Sequence, residues 1–582
     1  MTIGAYSGQE RLAFGIDLGT TMSAVTFAHL EDGEEPRIRL VTRWPGQEDA
    51  AGDCKVPSIV RYNSVGQAVQ FGTEAVENPD GLENTTVAKW FKLHLHPAAM
   101  RAENHLTPPA LPHNVTLKTV YADFLGYLFT HSRKFLESST LDATGGGSLW
   151  TRLQSNFVIC LAIPNGWEDA QQAFLRDAVV AAGILPYNHD RESLQFVSES
   201  ESSVHFAVMY ASISNWLREG TLLGVLDAGG STVDTTIYRC VSCAPLLRLE
   251  EVTSSECVQA GSAFVDQEAE KYLQNKLRGS RYGTPETIAA MVRAFERKTK
   301  RKFDGSNDQS IIQFGQDYDN DRPRVSRGRV TLTSNEVRSL FEWPVEAITS
   351  SVNNVLQRAE GHCKMILMVG GFAESLFLQS VLRERLASNN VRLISIDEAT
   401  KKAAAEGALT WYAKQFVVAR AARSTFGIET YMPYDARQPD HRARTTWVDA
   451  DGSTRVSGGF STLVKKNTVV QSHASSKSPF HKLYSNFPTA LATFEVDLLT
   501  IDSLAPGKWY LGPNGIALPQ FRNVCTVSAD LSGLENSLRS MNGIHGRQYW
   551  RVDFEVEIFF GQTSLCAKLV WNEGVSAPAL PT

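Results

Sequence analysis

The sequence has few cysteines, no long hydrophobic run and no strong imbalance of charge. Eight of its 582 residues are cysteine, and their scattered positions predict reduced thiols in a cytoplasmic protein, with the nucleus as an alternative location, and not a secreted disulfide framework. The absence of an apolar run of about 18 residues argues against a membrane-spanning helix, and residues 1–12 lack the apolar core of a secretory signal. A formal net charge of −6 argues against a general nucleic-acid binder.

The length and composition indicate a folded protein of several domains. A chain of 582 residues is too long for a single hydrophobic core. Its content of 43% hydrophobic and 21% charged residues is typical of globular proteins. Cys240 and Cys243 have the Cys-x-x-Cys spacing, but no further ligand that would complete a zinc or redox site is evident. We interpret them as two thiols at the end of a strand.

One motif occurs twice in the chain. Phe14–Ala28 reads FGIDLGTTMSAVTFA and Leu223–Tyr238 reads LGVLDAGGSTVDTTIY, so each copy has an apolar run, Asp-x-Gly, Thr or Ser and a β-like alternation. Asp17 and Asp227 occupy the same position in the two copies. The repetition predicts two similar half-domains that face one cleft and hold the phosphates of a nucleotide between them. The alternative is a pair of ordinary β-hairpins.

The residue types of both copies suit a phosphate site. Gly19 permits a tight turn, successive amide groups in such a turn form a concave anion site, and Thr20 and Thr21 add hydroxyl donors. The second copy has the equivalent set Gly229, Gly230, Ser231 and Thr232. Asp17 and Asp227 supply hard oxygen atoms for Mg²⁺, which keeps most of its water shell and so would be held through water.

A third motif completes the series. Met365–Leu386 contains an apolar strand, the pair Gly370-Gly371 and an amphipathic helical pattern. Two glycines at a strand-to-helix turn allow a flat ring or a phosphate to approach the backbone. After the two Asp-x-Gly loops, this motif predicts an adenosine pocket.

These three motifs, in this order and spacing, resemble the superfamily of actin, sugar kinases and heat-shock ATPases, and above all the 70-kDa heat-shock chaperones. Three further segments are similar to that family: VICLAIPNGW (Val158–Trp167), FVSESESSV (Phe196–Val204) and MVRAFERKTKRKFDG (Met291–Gly305). The resemblance covers about residues 12–415. It implies an α/β fold with a two-lobed, actin-like ATPase built from duplicated ribonuclease-H-like lobes.

The predicted organisation has four parts. Residues 1–11 are an N-terminal tail, residues 12–205 form lobe I, and residues 206–418 form lobe II. From residue 424 to residue 582, short β-like runs alternate with Pro and Gly turns, which predicts a β-rich domain. This domain resembles the β part of a chaperone substrate domain, and no helical lid is recognised after it.

The resemblance also implies roles for individual residues. Asp17 and Asp227 would hold hydrated Mg²⁺ and orient the attacking water, and Glu199 would lie near both. Lys89 would contact the γ-phosphate, with Lys92 as the alternative. The phosphates would be bound by Gly19, Thr20, Thr21, Met22, Gly229, Gly230, Ser231 and Thr232. The nucleoside would be bound by Glu296 and Lys300, above a floor of Gly370, Gly371 and Phe372.

Several departures from the family pattern leave the activity open. Met22 replaces an aromatic residue, Ser231 a glycine, Ser200 a proline and Gln172 an arginine, and Phe416–Arg423 stands where the interdomain linker is expected. We therefore consider three functions. The first is a chaperone-like protein that binds ATP or ADP with Mg²⁺, hydrolyses ATP slowly and binds unfolded or specific protein clients through its β-rich domain. The second is a nucleotide-dependent binding module without a peptide-release cycle. The third, less favoured, is a small-molecule kinase of the same superfamily.

Overall fold

The computed structural model has a mixed α/β fold with several sheets, as the sequence predicts. It divides into two compact units, one made of residues 1–250 and 255–417 and the other of residues 251–254 and 418–582. The structure describes residues 5–47, 52–77, 82–102, 108–139, 145–210, 216–243, 247–306, 308–322, 324–360, 362–396, 403–414, 416–471, 474–489, 491–534, 538–560 and 565–571. Among these residues, no helix combines the length and the apolar character needed to cross a bilayer.

The first unit contains most of the helices. Its strands are β1 (Arg11–Asp17), β2 (Met22–Leu30), β3 (Arg39–Leu40), β4 (Val56–Pro57), β5 (Ile59–Tyr62), β6 (Ala68–Phe71), β7 (Thr86–Lys89), β8 (Phe157–Ile163), β9 (Leu194–Ser198), β10 (Leu222–Ala228), β11 (Val233–Ser242), β12 (Arg248–Glu251, which ends at the unit boundary), β13 (Glu256–Val258), β14 (Gln309–Gln313), β15 (Arg329–Thr333), β16 (Met365–Val369) and β17 (Arg392–Ser395). Its helices are α1 (Gly72–Glu77), α2 (Ala98–Ala102), α3 (Leu117–Glu137), α4 (Gly146–Leu153), α5 (Asp169–Ala181), α6 (Glu199–Tyr210), α7 (Ser262–Lys276), α8 (Pro285–Ala294), α9 (Lys300–Lys302), α10 (Ser334–Arg358), α11 (Leu376–Ala387) and α12 (Ala403–Lys414).

Two sheets of this unit share one order of pairing. The first sheet has the order β3-β2-β1-β8-β9. The second, read in the corresponding direction, has the order β12-β11-β10-β16-β17 within this unit. Each sheet starts from an antiparallel hairpin, β1–β2 or β10–β11, and adds parallel strands beside the first strand of that hairpin. The repeated sequence motif therefore forms corresponding hairpins in both sheets.

β1 lies inside its sheet and is buried on both faces. Leu12, Phe14 and Ile16 pack into one hydrophobic core, and Ala13 packs into another beneath α12. Strands that are covered on both faces read as continuous apolar runs. A Cβ on Gly15 would lie 2.4 Å from the carbonyl oxygen of Ala405 on α12, so glycine at this position lets the helix approach the strand.

The start of α10 is tied to α7 by Glu336. Its carboxylate lies 2.9 Å from Nζ of Lys276, and it accepts further hydrogen bonds from the Tyr272 hydroxyl and the Thr333 amide. Partial burial raises the pKa of Glu336, but these donors outweigh it and lower the pKa to about 2. Thr333 in turn accepts from the Glu336 amide, which completes a capping box.

Replacement of Glu336 by Gln should make the free energy of unfolding change less with pH in the acidic range. The wild-type carboxylate stabilises the folded state above its unfolded pKa of about 4.3, and this contribution is lost as the pH falls towards the folded pKa of about 2. The wild type should therefore be more stable than Glu336→Gln at pH 7, and the difference should shrink on acidification. Urea unfolding of both proteins at several pH values measures this. A difference that is constant with pH would contradict the assignment.

The second unit is dominated by antiparallel strands. Its elements are β18 (Val417–Ala421, which begins at the unit boundary), β19 (Thr425–Pro433), α13 (Pro439–Arg442), β20 (Thr446–Val448), β21 (Thr454–Val464), β22 (Val469–Gln471), β23 (Ser475–Tyr484), β24 (Phe494–Ile501), β25 (Phe521–Ala529), β26 (Ser540–Asn542), β27 (Gln548–Phe560) and β28 (Leu565–Val570). One sheet has the order β20-β21-β19-β24-β25, and another has β23-β27-β26 with β28 beside β27. The two sheets share a hydrophobic core, in which the rings of Phe494 and Phe554 lie 4.9 Å apart.

Candidate functional site

The carboxyl ends of two central strands carry the repeated aspartates. Asp17 is the last residue of β1, and Asp227 is the penultimate residue of β10. The parallel register pairs Asp227 with Val369 at the end of β16, so Gly370 follows at the same edge of the second sheet. Both carboxylates are buried, and that of Asp227 accepts a hydrogen bond of 2.5 Å from the Ser203 hydroxyl on α6. Two buried carboxylates at the ends of these strands are suited to a site that binds a cation.

The two Asp-x-Gly loops lie against each other. The hydroxyl oxygens of Thr20 and Ser231 are 2.6 Å apart. A Cβ on Gly230 would lie 2.7 Å from Oγ1 of Thr21, so a larger residue here would crowd that side chain. Two sequence segments about 210 residues apart thus meet at one place, as the repeated motif predicts.

Hydrogen bonds from neighbouring segments also hold each loop in place. The Ser58 hydroxyl and amide donate to the carbonyl oxygens of Gly19 and Thr21. In the second loop, the amides of Ser262 and Ala263 at the start of α7 donate to the carbonyl oxygens of Gly229 and Gly230, and the Gly261 amide donates to Ser231. These bonds fix the conformation of both loops before any ligand binds, and such preorganisation lowers the cost of binding.

Both loops line a single cleft in the first unit. The cleft contains every predicted site residue except Lys89, and its lining is Asp17, Gly19, Thr20, Thr21, Met22, Lys55, Lys92, Glu199, Asp227, Gly229, Gly230, Ser231, Thr232, Ser262, Glu296, Lys300, Arg301, Gly370, Gly371, Phe372, Glu374, Ser375, Ala403 and Ala404. Asp17, Glu199 and Asp227 are buried acids, whereas Lys55 and Arg301 are more exposed bases. The cleft therefore combines carboxylates with basic groups, of which Lys92 and Lys300 are buried and Lys55 and Arg301 are more exposed.

The two candidate lysines lie in different surroundings. Lys92 lies in the cleft, where its ammonium group is 2.7 Å from the Glu199 carboxylate, and the side chains are 4% and 11% exposed. The same ammonium lies 5.5 Å from the centre of the Trp167 ring. Lys89 is exposed and lies over the ring of Trp90. The placement favours Lys92 as the phosphate ligand, and its role stays a prediction.

The basic segment after α8 contains a π turn. Phe295–Thr299 is π-helical, and the amide of Lys300 donates to the carbonyl oxygen of Phe295, five residues earlier. The wider turn brings Glu296, Lys300 and Arg301 to the same cleft. Single π turns inside helices are frequent at functional sites.

Lys300 is held at the cleft by a buried ion pair. Its ammonium group lies 2.6 Å from Oδ2 of Asp266 on α7, and both residues are buried. Burial raises the pKa of Asp266 to about 6, although the charge of Lys300 acts in the opposite direction. Lys300 is thus a fixed cation in the cleft, whereas Arg301 is exposed.

A glycine pair at the end of β16 offers a matched test of the local geometry. Gly370 has φ of +96°, and a Cβ there would lie 2.4 Å from the Ala228 carbonyl oxygen and 2.5 Å from Oδ1 of Asp227. Gly370→Ala should therefore lower the free energy of unfolding by at least about 1–3 kcal/mol. A Cβ on Gly371 would meet no atom within 4 Å, so Gly371→Ala should change stability by less than about 0.5 kcal/mol. Urea unfolding compares the two, and equal losses would contradict the described turn.

Several residues of the cleft are not among the residues that the sequence motifs predict. Ser262, Ala403 and Ala404 line it without belonging to any of the three motifs, and Ser375 lies within the third motif but is not a predicted site residue. Lys55 lies 2.5 Å from Glu374, an ion pair that joins two sides of the cleft across 319 residues of sequence.

These omissions have different causes. Arg301 could have been found, because it adjoins Lys300 in a basic run. Nothing in the local sequence distinguishes Lys55 or Ser203, since their roles depend on contacts with distant segments.

The chemistry of the lining fits a nucleotide with hydrated Mg²⁺. Among the described residues, no group of three or more His, Cys, Asp or Glu side chains is arranged to hold a metal directly. Asp17 and Asp227 are instead two hard carboxylates beside loop hydroxyl groups, and Mg²⁺ commonly keeps several waters beside one or two carboxylates. The glycines and hydroxyl groups of both loops line this cleft, and successive backbone amides in such loops can form a concave anion site. The residues that line the cleft therefore fit a nucleotide with hydrated Mg²⁺.

Comparison with known proteins finds relatives among the heat-shock chaperones. No family model matches the chain. Heat shock 70 kDa protein 12A of Mus musculus is 22% identical over 453 residues, which cover 63% of this chain and 64% of that protein. Heat shock 70 kDa protein 12B of Homo sapiens is 20% identical over 468 residues, which cover 65% of each chain. A chaperone protein HscA homolog of Aliivibrio salmonicida is 26% identical over 239 residues, or 40% of this chain and 33% of that protein.

These similarities support the resemblance derived from the motifs. The chain is similar to a divergent branch of the 70-kDa heat-shock proteins that includes proteins 12A and 12B. It spans slightly less than two thirds of the length of these relatives.

Proposed function

We propose that the protein binds Mg-ATP in the described cleft, hydrolyses it slowly and acts as a chaperone-like protein of the 70-kDa heat-shock type. The observation that carries the proposal is the meeting of the two Asp-x-Gly loops, with Thr20 and Ser231 2.6 Å apart and Asp17 and Asp227 buried at the adjoining strand ends. A paired arrangement of this kind is expected of a phosphate site and not of two unrelated hairpins.

The proposed roles follow from the position of each group. Asp17 and Asp227 hold hydrated Mg²⁺, which when bound neutralises phosphate charge. Glu199 orients water, and Lys92 stabilises the negative charge that develops on the transferred phosphoryl group. The nucleoside is bound by Glu296, Lys300, Arg301, Gly370, Gly371 and Phe372, and the phosphates by Gly19, Thr20, Thr21, Met22, Gly229, Gly230, Ser231 and Thr232.

The proposed architecture is a two-lobed, actin-like ATPase. The shared pairing order of the two sheets, each built on a hairpin with one copy of the motif, supports a duplicated origin. In this proposal residues 12–205 and 206–418 are the lobes, and residues 424–582 bind unfolded or specific protein clients. We propose no nucleic-acid or membrane partner.

One observation favours a second candidate, a nucleotide-dependent binding module without turnover. Gln172 is buried where the resembled family has an arginine that takes part in its switch. A neutral amide cannot form the ion pairs of a guanidinium group. A protein of this kind would bind ATP and change shape without a peptide-release cycle. A small-molecule kinase is less favoured, because no sugar-specific motif is evident.

Binding and turnover of Mg-ATP, measured on one preparation with and without an unfolded peptide, test the proposal. A chaperone cycle predicts binding, slow turnover and faster turnover with peptide. The binding module predicts binding without turnover, and a kinase responds only to its small acceptor. Failure to bind Mg-ATP would contradict the whole proposal. Because Gly371→Ala should preserve stability, weaker binding by this variant would support the nucleoside floor.

A further inference from the structure

A cysteine pair lies at the end of β11, away from the groups with proposed nucleotide roles. Cys240 is fully buried on this strand, and Cys243 follows the strand and is partly exposed. Their Sγ atoms are 3.3 Å apart. The first residue of β11 follows Thr232 in the cleft, and Cys240 lies seven positions after Val233 on this strand, which is about 24 Å at 3.4 Å per position. The pair therefore belongs to a different part of the first unit.

The surrounding backbone holds the two sulfur atoms together. The amide of Cys240 donates to the carbonyl oxygen of Thr221, and the Gly220 amide donates to the carbonyl oxygen of Cys240. The thiol of Cys243 donates a hydrogen bond of 3.6 Å to the carbonyl oxygen of Leu217. These hydrogen bonds hold the end of β11 in place, and the two thiols therefore face each other.

We propose that Cys240 and Cys243 are a reversible thiol–disulfide site that reacts with small-molecule disulfides such as glutathione disulfide. The Cys-x-x-Cys spacing alone favours two strand-end thiols, and the facing sulfur atoms change this interpretation. A site of this type needs no metal and no further protein ligand.

The reaction balances with one molecule of disulfide. The Cys243 thiolate attacks one sulfur of glutathione disulfide, its S–S bond breaks, and one glutathione leaves as a thiolate that takes up a proton. The Cys240 sulfur then attacks Sγ of Cys243 and displaces the second glutathione, which also ends as a thiol. The two cysteine thiols are oxidised to one disulfide, and the glutathione disulfide is reduced to two glutathione molecules.

The order of the two steps follows from exposure. Cys243 is the sulfur that a solute can reach, whereas Cys240 is fully buried. Burial raises the pKa of the Cys240 thiol, and the neighbouring Cys243 sulfur and Glu219 carboxylate act in the same direction. Because the thiolate is the attacking species, the second step should become faster as the pH rises.

Mass spectrometry of the full chain after incubation with glutathione disulfide tests the site. The wild type should lose two hydrogen atoms from the peptide that contains both cysteines, with no retained glutathione there, and dithiothreitol should reverse the change. Cys240→Ala should keep one glutathione on Cys243, because the resolving thiol is absent. In Cys243→Ala, Cys240 should stay a free thiol over the same incubation.

The control is Cys363→Ala, which removes a buried cysteine elsewhere in the unit and should leave this reaction unchanged. Peptide mapping of the wild type does not depend on the folding of any variant. Wild-type protein in which both thiols stay reduced, or in which each cysteine retains its own glutathione, would overturn the proposal. Equal reactivity of Cys240 with and without Cys243 would also overturn it.

Discussion

Asp227→Asn should lower ATP turnover by about 100-fold or more while Mg-ATP binding stays measurable. The substitution keeps the size of the side chain and an oxygen that can accept from the Ser203 hydroxyl, which lies 2.5 Å from the carboxylate. It removes the negative charge proposed to hold hydrated Mg²⁺. Turnover by a phosphate-release assay and affinity by isothermal titration, on the same preparations, separate the two effects.

Asp123→Asn is the matched control for this experiment. Asp123 is a partly buried carboxylate outside the described cleft, where it accepts a hydrogen bond of 2.9 Å from the Tyr62 hydroxyl. This variant should keep the wild-type turnover. Binding without turnover in both the wild type and Asp227→Asn would support the binding module. Equal turnover in both would remove Asp227 from the proposed mechanism.

Lys92→Ala should affect both turnover and stability. The variant leaves the largely buried Glu199 carboxylate without its ammonium partner at 2.7 Å, and breaking a buried ion pair on one side costs about 3–5 kcal/mol. It also removes the cation proposed to act on the transferred phosphoryl group, so turnover should fall by about 100-fold or more. Urea unfolding and the same turnover assay measure the two losses.

Two further variants separate the structural effect from the chemical one. The double variant Lys92→Ala/Glu199→Ala removes both charges and should recover part of the lost stability without recovering turnover. Lys89→Ala removes an exposed lysine and should change stability by less than about 0.5 kcal/mol, with turnover near that of the wild type. Loss of turnover in Lys89→Ala, with Lys92→Ala active, would reverse the preference between the two lysines.

The sequence is sufficient to predict the parts of the site that depend on local residue patterns. An apolar run before Asp-x-Gly predicts a buried strand and a turn, and the second copy predicts its counterpart. The mixed α/β class follows from the same alternation of strands and helices. The predicted phosphate loops and glycine pair do line one cleft of the structure, although their roles in binding stay predictions.

The remaining features depend on tertiary contacts. Lys89 and Lys92 are three residues apart and equally plausible as a pattern, and only the fold shows which one lies in the cleft. The pairing of Lys55 with Glu374 has no counterpart in local sequence. The distance between Cys240 and Cys243 likewise depends on how the chain leaves β11, and their spacing alone does not determine it.

The π turn at Phe295–Thr299 holds one residue more than the α-helical turn that it replaces. Deletion of one residue there would restore a regular α-helix and leave Lys300 in its position beside Asp266. Proteins with the same fold could thus differ by one residue in length at this turn and keep the same cleft cation. An alignment without a gap at the turn would shift the later basic residues by one position, which corresponds to about 100° around the helix axis.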